Sequence, residues 1–112
     1  MFVKKNSYKW RPLIEGVEMR PLAFEQKTNL CEFKLKKGYR LPAHSHPYEQ
    51  TGTLLSGKLH FRIDSNWYLT NPGDSWSIPE NTEHEVEIIE DSLVIEVFSP
   101  VRPDYLPDDK KD

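Results

Sequence analysis

Three of the four histidines in this chain stand where a metal ion would need them. His44 and His46 are two residues apart, so an extended segment projects both imidazoles from one face. Gln50 keeps the same even parity while Glu49 falls opposite, which favours the carboxamide as a third ligand, although Pro47 can bend the chain between them. His84 opens a segment whose inward face continues through Val86 and Ile88, so its ring is expected to enter the same interior and supply a fourth bond. Such a set suits one divalent cation, and imidazole ligands accept zinc, nickel, manganese or iron. His60 has a plainer reading, in register with Lys58, Arg62 and Asp64 on a polar face. Cys31 is the only cysteine, which excludes an internal disulfide and a multi-cysteine zinc site. It reads as a small buried hydrophobe.

The elements that must carry these residues are short strands. Nine prolines and five glycines punctuate the chain, and the stretches between them are rich in Val, Ile, Phe, Trp and Tyr. Regularly spaced strands with turn signals indicate a sandwich or barrel. Leu30 to Lys36 alternates, with Cys31, Phe33 and Leu35 on one face. Lys58 to Asp64 places Leu59, Phe61 and Ile63 on one side and Lys58, His60, Arg62 and Asp64 on the other. Asp64-Ser65-Asn66 reads as a hairpin turn returning through Trp67, Tyr68 and Leu69. Asn71-Pro72-Gly73-Asp74 is a second turn, followed by Trp76 and Ile78 on one face. Val86 and Ile88 share a face against Glu85 and Glu87. Leu93 to Phe98 is apolar except for Glu96 and reads as central. Trp10, Trp67 and Trp76 read as packing residues, with Trp76 also able to line a cavity.

At 112 residues there is room for one domain with one core. Residues 1–102 read as that domain, and 103–112 as a polar, frayed tail. A formal net charge of −3 gives no basic patch for nucleic acid. No apolar run is long enough for a signal peptide or a bilayer span, so the expected address is the cytoplasm, with no membrane partner.

The wider spacing carries a resemblance. The run Gly38, five residues, His44, one residue, His46, three residues, Gln50, six residues, Gly57 resembles the first motif of the cupin superfamily, where glutamate is usual at the Gln50 position. Gly73, five residues, Pro79, one residue, Asn81, two residues, His84 is similar to the second motif. Here Asn81 replaces a usual glycine, both residues tolerating positive φ, and Ile88 stands where asparagine is common. The resemblance implies an all-β fold, the antiparallel double-stranded β-helix or jelly-roll barrel of RmlC-like proteins. Narrower stretches resemble the pectin-degradation cupins of the KdgF type. These are His44-Ser45-His46-Pro47-Tyr48-Glu49-Gln50, the Gly73-Asp74-Ser75-Trp76 turn, Val97 to Arg102, and Trp10 ahead of Gly16-Val17 and Leu22.

That second resemblance implies a metal held by His44, His46, Gln50 and His84, and conversion of 4,5-unsaturated monouronates to linear ketonised sugar acids. It implies that Glu96, usually aspartate in the family, Phe98 and Arg102 lie near the reacting sugar. A homodimer pairing through N-terminal strands is implied too, and an exposed edge near Phe2 to Trp10 would gain from such cover. A neutral three-histidine, one-glutamine set leaves a divalent ion its full charge, which favours an anionic substrate. Open coordination positions would let the ion act as Lewis acid and template.

Glu96, on the face of Val94 and Phe98, reads either as a general acid/base or as a structural partner of Arg102 or an outward edge residue. Arg102 reads as a bidentate carboxylate clamp or a plain surface arginine. Phe98 reads as a sugar platform or a core residue. Two rival functions remain: a redox-metal cupin dioxygenase, against which the missing glutamate weighs, and a non-catalytic metal-bearing binding module. Metal analysis, oxygen consumption and an unsaturated-uronate assay separate them.

Overall fold

Alternating apolar residues can be buried only if their strands pair and close over one interior, and eight strands do so here. The computed structural model describes residues 1–110. The strands are β1 (Arg11–Ile14), β2 (Val17–Phe24), β3 (Asn29–Leu35), β4 (Arg40–His44), β5 (Glu49–Ile63), β6 (Asn66–Thr70), β7 (Ser75–Ile78) and β8 (His84–Ser99). All pairings are antiparallel. The main path runs β1-β2-β3-β8-β5-β6, with β4 on β8 and β7 on β5. The fold is the expected jelly roll.

Two strands organise it. A straight 15-residue strand such as β5 would span about 50 Å, yet the molecule's longest dimension is 35 Å. Both β5 and β8 must therefore bend, and the two halves of each pair with different neighbours. The C-terminal part of β8 lies between β3 and the start of β5, while its N-terminal part lies between β4 and the end of β5. The bend in β5 falls at register shifts from Leu54 to Leu59. Gly57 occupies it with φ +101°, where a Cβ would run into Ser92 Oγ and the Asp91 carbonyl. Lys58 N–H donates to Ser92 Oγ at 3.1 Å, pinning the bend to β8. From sequence, β8 reads as two pieces around the polar Glu90-Asp91-Ser92, but it is continuous because that run sits at the bend, where two of its three side chains face solvent.

The inward residues are those the alternation selects: Cys31, Phe33 and Leu35 from β3, Leu59 and Phe61 from β5, Ile78 from β7, and Val86, Ile88, Val94 and Phe98 from β8. His60 stays on the outer face, stacked on Trp67 at 4.4 Å and bonded through Nδ1 to Glu87 at 2.8 Å. Residues 1–10 contain no strand, so the edge expected from Phe2 to Trp10 is instead formed by β1. Trp10 packs under Arg20 and Lys34, whose charged ends lie 4.5 and 4.2 Å from its ring centroid.

Residues 103–110, expected to fray, are fastened by Arg11. Its guanidinium donates to the carbonyls of Leu106 (3.0 Å) and Asp104 (2.7 Å) and pairs with Asp108. Tyr105 then packs on Phe33 and Phe98, with centroids 5.6 and 5.3 Å away. The remaining tail residues, Lys111 and Asp112, lie outside the described residues. No helix among the described residues is long and apolar enough to cross a membrane.

Cys31 is fully buried, and burial, reinforced by the negative charge of Glu96, pushes its thiol up to about 12. Such a thiol stays protonated and unreactive. The native protein should resist an aromatic disulfide reagent at pH 8, and one thiol should titrate on addition of guanidinium. Labelling of native protein at the rate of a free thiol would show that β3 opens readily.

Candidate metal centre

Strand register brings the first two ligand candidates together. His44 ends β4 directly opposite His84, the first residue of β8, and their ring centroids are 4.2 Å apart. The chain then leaves the extended conformation at Ser45 and resumes it at Glu49, so parity from His44 to Gln50 is not carried by one continuous strand. Gln50 is nevertheless buried and Glu49 exposed, as parity predicts. His46 lies in the intervening bend, held because its carbonyl accepts the Asn81 N–H at 2.7 Å. Asn81 has φ +61°, the left-handed conformation that its substitution for glycine requires. The ring of His46 is 5.0 Å from that of His84.

Each imidazole is fixed through one nitrogen. His44 Nδ1 meets the Pro42 carbonyl at 2.7 Å, His46 Nδ1 that of Tyr48 at 3.1 Å, and His84 Nδ1 that of Thr82 at 2.8 Å. A carbonyl only accepts, so all three Nδ1 atoms carry the hydrogen and all three Nε2 atoms present lone pairs. One ligand nitrogen from each ring falls within a 4.8 Å cluster. His46 Nε2 and Gln50 Oε1 are buried with no hydrogen-bond partner among the described residues. Lone pairs converging without a donor in a buried site would be costly alone, and a cation there would satisfy them. Backbone carbonyls behind ligand histidines are also the usual outer support of metal sites. The residues therefore fit one ion, with three imidazoles and the Gln50 oxygen to hold it. Burial lowers the pKa of His46 and takes that of His84 down to about 4, a direction that favours the neutral, ligating form of each ring.

The other expected residues line the same pocket. Glu96 Oε2 accepts from Gln50 Nε2 at 2.5 Å and from Trp76 Nε1 at 2.9 Å, so its hydrogen-bond partners among the described residues are these two and not Arg102. Burial pushes the Glu96 carboxyl up against the pull of these two donors. Trp76 thus combines packing, 4.8 Å from the Phe61 ring, with a polar contact in the pocket wall. Phe98 is 2% exposed and packs as core against Phe33 and Tyr105, which leaves little of it as a platform.

Arg102 is no plain surface arginine. Its guanidinium lies 3.9 Å over Tyr105, with Phe98 and Tyr48 at 5.4 and 5.5 Å, and its Nε pairs with Asp104. Its backbone N–H donates to Asn29 Oδ1 at 2.9 Å.

Sequence reasoning missed four residues. Asn29, Tyr48 and Tyr105 set the arginine. Gly52, paired with both Trp76 and Glu96, leaves room for their contact, since a Cβ there would lie 2.6 to 2.8 Å from both side chains. Only Gly52 left a signal, as a glycine inside a strand pattern marks a close approach. The pocket is partly open to solvent and has a cavity volume of about 50 Å³, room for an ion and several waters.

Comparison with known proteins agrees with this architecture. A family model described as "Cupin domain" matches residues 31–99. The chain is 24% identical over 99 residues to the pectin degradation protein KdgF of Dickeya dadantii (strain 3937), covering 87% of this chain and 90% of that protein. It superposes on the structure of KdgF from Halomonas sp. with a TM-score of 0.88 and 27% identity, over 95% of this chain and 98% of the other. An RmlC-like cupin from Shewanella frigidimarina NCIMB 400 gives the same TM-score at 22% identity, over 94% and 95%.

Proposed function

This chain belongs to the cupin domain family, and we propose that its centre converts 4,5-unsaturated monouronates to linear, ketonised sugar acids. One observation carries the proposal: a carboxylate, Glu96, and a guanidinium, Arg102, line the pocket that holds the three-histidine cluster and Gln50. Likeness to two KdgF proteins, at 24% and 27% identity, supports the substrate class.

When bound, a divalent ion supplies fixed positive charge that polarises a substrate oxygen. The chain's own residues do the rest. Arg102, stacked on Tyr105 and tied through its backbone to Asn29, lines the same pocket and holds the substrate carboxylate there. Glu96 takes the proton of the anomeric hydroxyl through Oε1, the oxygen left without a protein donor. The C1–O5 bond opens as the C1 carbonyl forms, and a proton returned to C4 turns the C5 enol into a ketone. One proton moves, and no electrons are gained or lost. Burial raises the Glu96 carboxyl, which makes it a stronger base than a free glutamate.

The test follows the ultraviolet absorbance of the conjugated double bond in unsaturated galacturonate, using fully metal-loaded protein. Loss faster than the spontaneous rate is expected, and no acceleration removes the proposal. Arg102→Met keeps much of the stacked volume but loses the carboxylate's charged donor. It should lower kcat/KM by about 10- to 100-fold, the scale of a hydrogen bond to a charged group.

A further inference from the structure

We infer that Glu96, through Oε2, is the positioning residue that turns the oxygen of the Gln50 carboxamide toward the cation site, with Trp76 holding Glu96 and Gly52 making room for both. The inference rests on the metal reading above and assigns a task to the oxygen that the proposed proton transfer leaves unused.

The two ends of a carboxamide are nearly equal in shape and opposite in polarity. A glutamine that ligates a cation must present its oxygen, and a half-turn of the amide would aim an N–H₂ group at the ion instead. Nothing in the three imidazoles prevents that turn, since their inward nitrogens carry only lone pairs. Glu96 prevents it. An ionised carboxylate accepts and never donates, and Oε2 lies 2.5 Å from Gln50 Nε2. The turned amide would set two oxygens at that separation with no hydrogen between them. The N–H₂ is therefore drawn to Glu96, and Oε1 is left in the pocket, where it is buried and meets no donor among the described residues.

Glu96 is itself locked. Trp76 Nε1, a donor only, reaches the same Oε2 at 2.9 Å. Both residues lie across from Gly52, Glu96 on β8 and Trp76 on β7. A Cβ at position 52 would stand 2.7 Å from Glu96 Cγ and 2.6 Å from Trp76 Nε1, so any larger residue forces them out of place. The arrangement also accounts for glutamine, rather than the glutamate usual in the first motif, at position 50. A carboxylate there would face that of Glu96 at hydrogen-bond distance inside the protein, and two such groups cannot both ionise.

The test has a part that needs no metal. In the metal-free, ¹⁵N-labelled protein, the Gln50 side-chain amide, identified by its loss in Gln50→Ala, should be shifted downfield and protected from solvent exchange. In Glu96→Leu it should return to the position and exchange rate of an exposed amide. Glu96→Gln retains an oxygen that can accept from both donors, and should keep the protection. The second part is competition for cobalt(II) against a chromophoric chelator. Glu96→Leu and Gly52→Ala should weaken cobalt binding by about 10- to 100-fold, the usual effect of losing an outer-shell partner. Glu96→Gln should stay within about threefold, since a neutral acceptor keeps the geometry with a weaker bond.

An unprotected Gln50 amide in the wild type overturns the inference, and that spectrum decides even if Glu96→Leu does not fold. Cobalt bound by wild type, lost in His84→Ala and unchanged in Glu96→Leu overturns the Glu96 assignment alone. Failure of the wild type to bind cobalt sinks the metal reading together with it.

Discussion

His84→Ala should strip the protein of its divalent ion, with affinity falling by more than about 100-fold, as expected when a ligand itself is lost rather than an outer-shell partner. His84 is placed by the β4–β8 register, carries its hydrogen on Nδ1 against Thr82, and offers Nε2 to the cluster. Alanine removes that lone pair while leaving the strand ladder intact. The consequence should also be visible in thermal melting. A ligand at 100 times its Kd stabilises a folded protein by about 2.7 kcal/mol, so the shift in Tm that the ion gives the wild type should disappear in the variant. His60→Ala is the control, because His60 sits outside the barrel on Trp67 and Glu87. Mass-spectrometric metal analysis of native protein reads both, and equal loss from the two variants would refute the ligand set.

Phe98→Ala should be the most destabilising change in the pocket wall, at about 3–5 kcal/mol. The ring is 2% exposed, meets Phe33 and Tyr105 edge-on at 6.3 and 5.3 Å, and lies under Arg102. Deleting it leaves a cavity that strands on both sides cannot close, since β8 is paired at this point to both β3 and β5. Domains of this size have about 5–15 kcal/mol in hand, so the urea midpoint should fall steeply with little change in slope. A cost below about 1 kcal/mol would mean that the ring is not core, and would return it to the role of a sugar platform.

How much of this could be read from the chain depended on distance along it. The alternation in Leu30–Lys36 and Lys58–Asp64 is local, and β3 and β5 place those residues as the pattern predicts. The clustering of His44, His46 and His84 was legible from the two contiguous motifs rather than from parity, because the chain leaves the extended conformation between His44 and Glu49. What was not legible depends on how distant strands align. Glu96 meets Gln50 across 46 positions, and Asn29 meets the Arg102 backbone across 73. Nothing near either residue specifies that alignment. The bend in β8 was hidden because Glu90-Asp91-Ser92 has the composition of a turn, and only the bulge in β5 shows that the strand passes through it. Tyr105 was obscured by its polar surroundings, and the segment is tied to Arg11 through the backbone carbonyls of Asp104 and Leu106.

The doubled-back course of β5 and β8 has a mechanical consequence. Their ladder begins at the pair Glu49 and Ser99 and finishes at Ile63 and His84, yet Gln50 from one extremity and His84 from the other border a single chamber. The two strands form a hoop, and an ion held by both residues would act as a clasp on its open side. Loss of the ion is then expected to loosen the Gln50 and His84 ends of the ladder before its middle, which the Lys58 N–H bond to Ser92 Oγ pins.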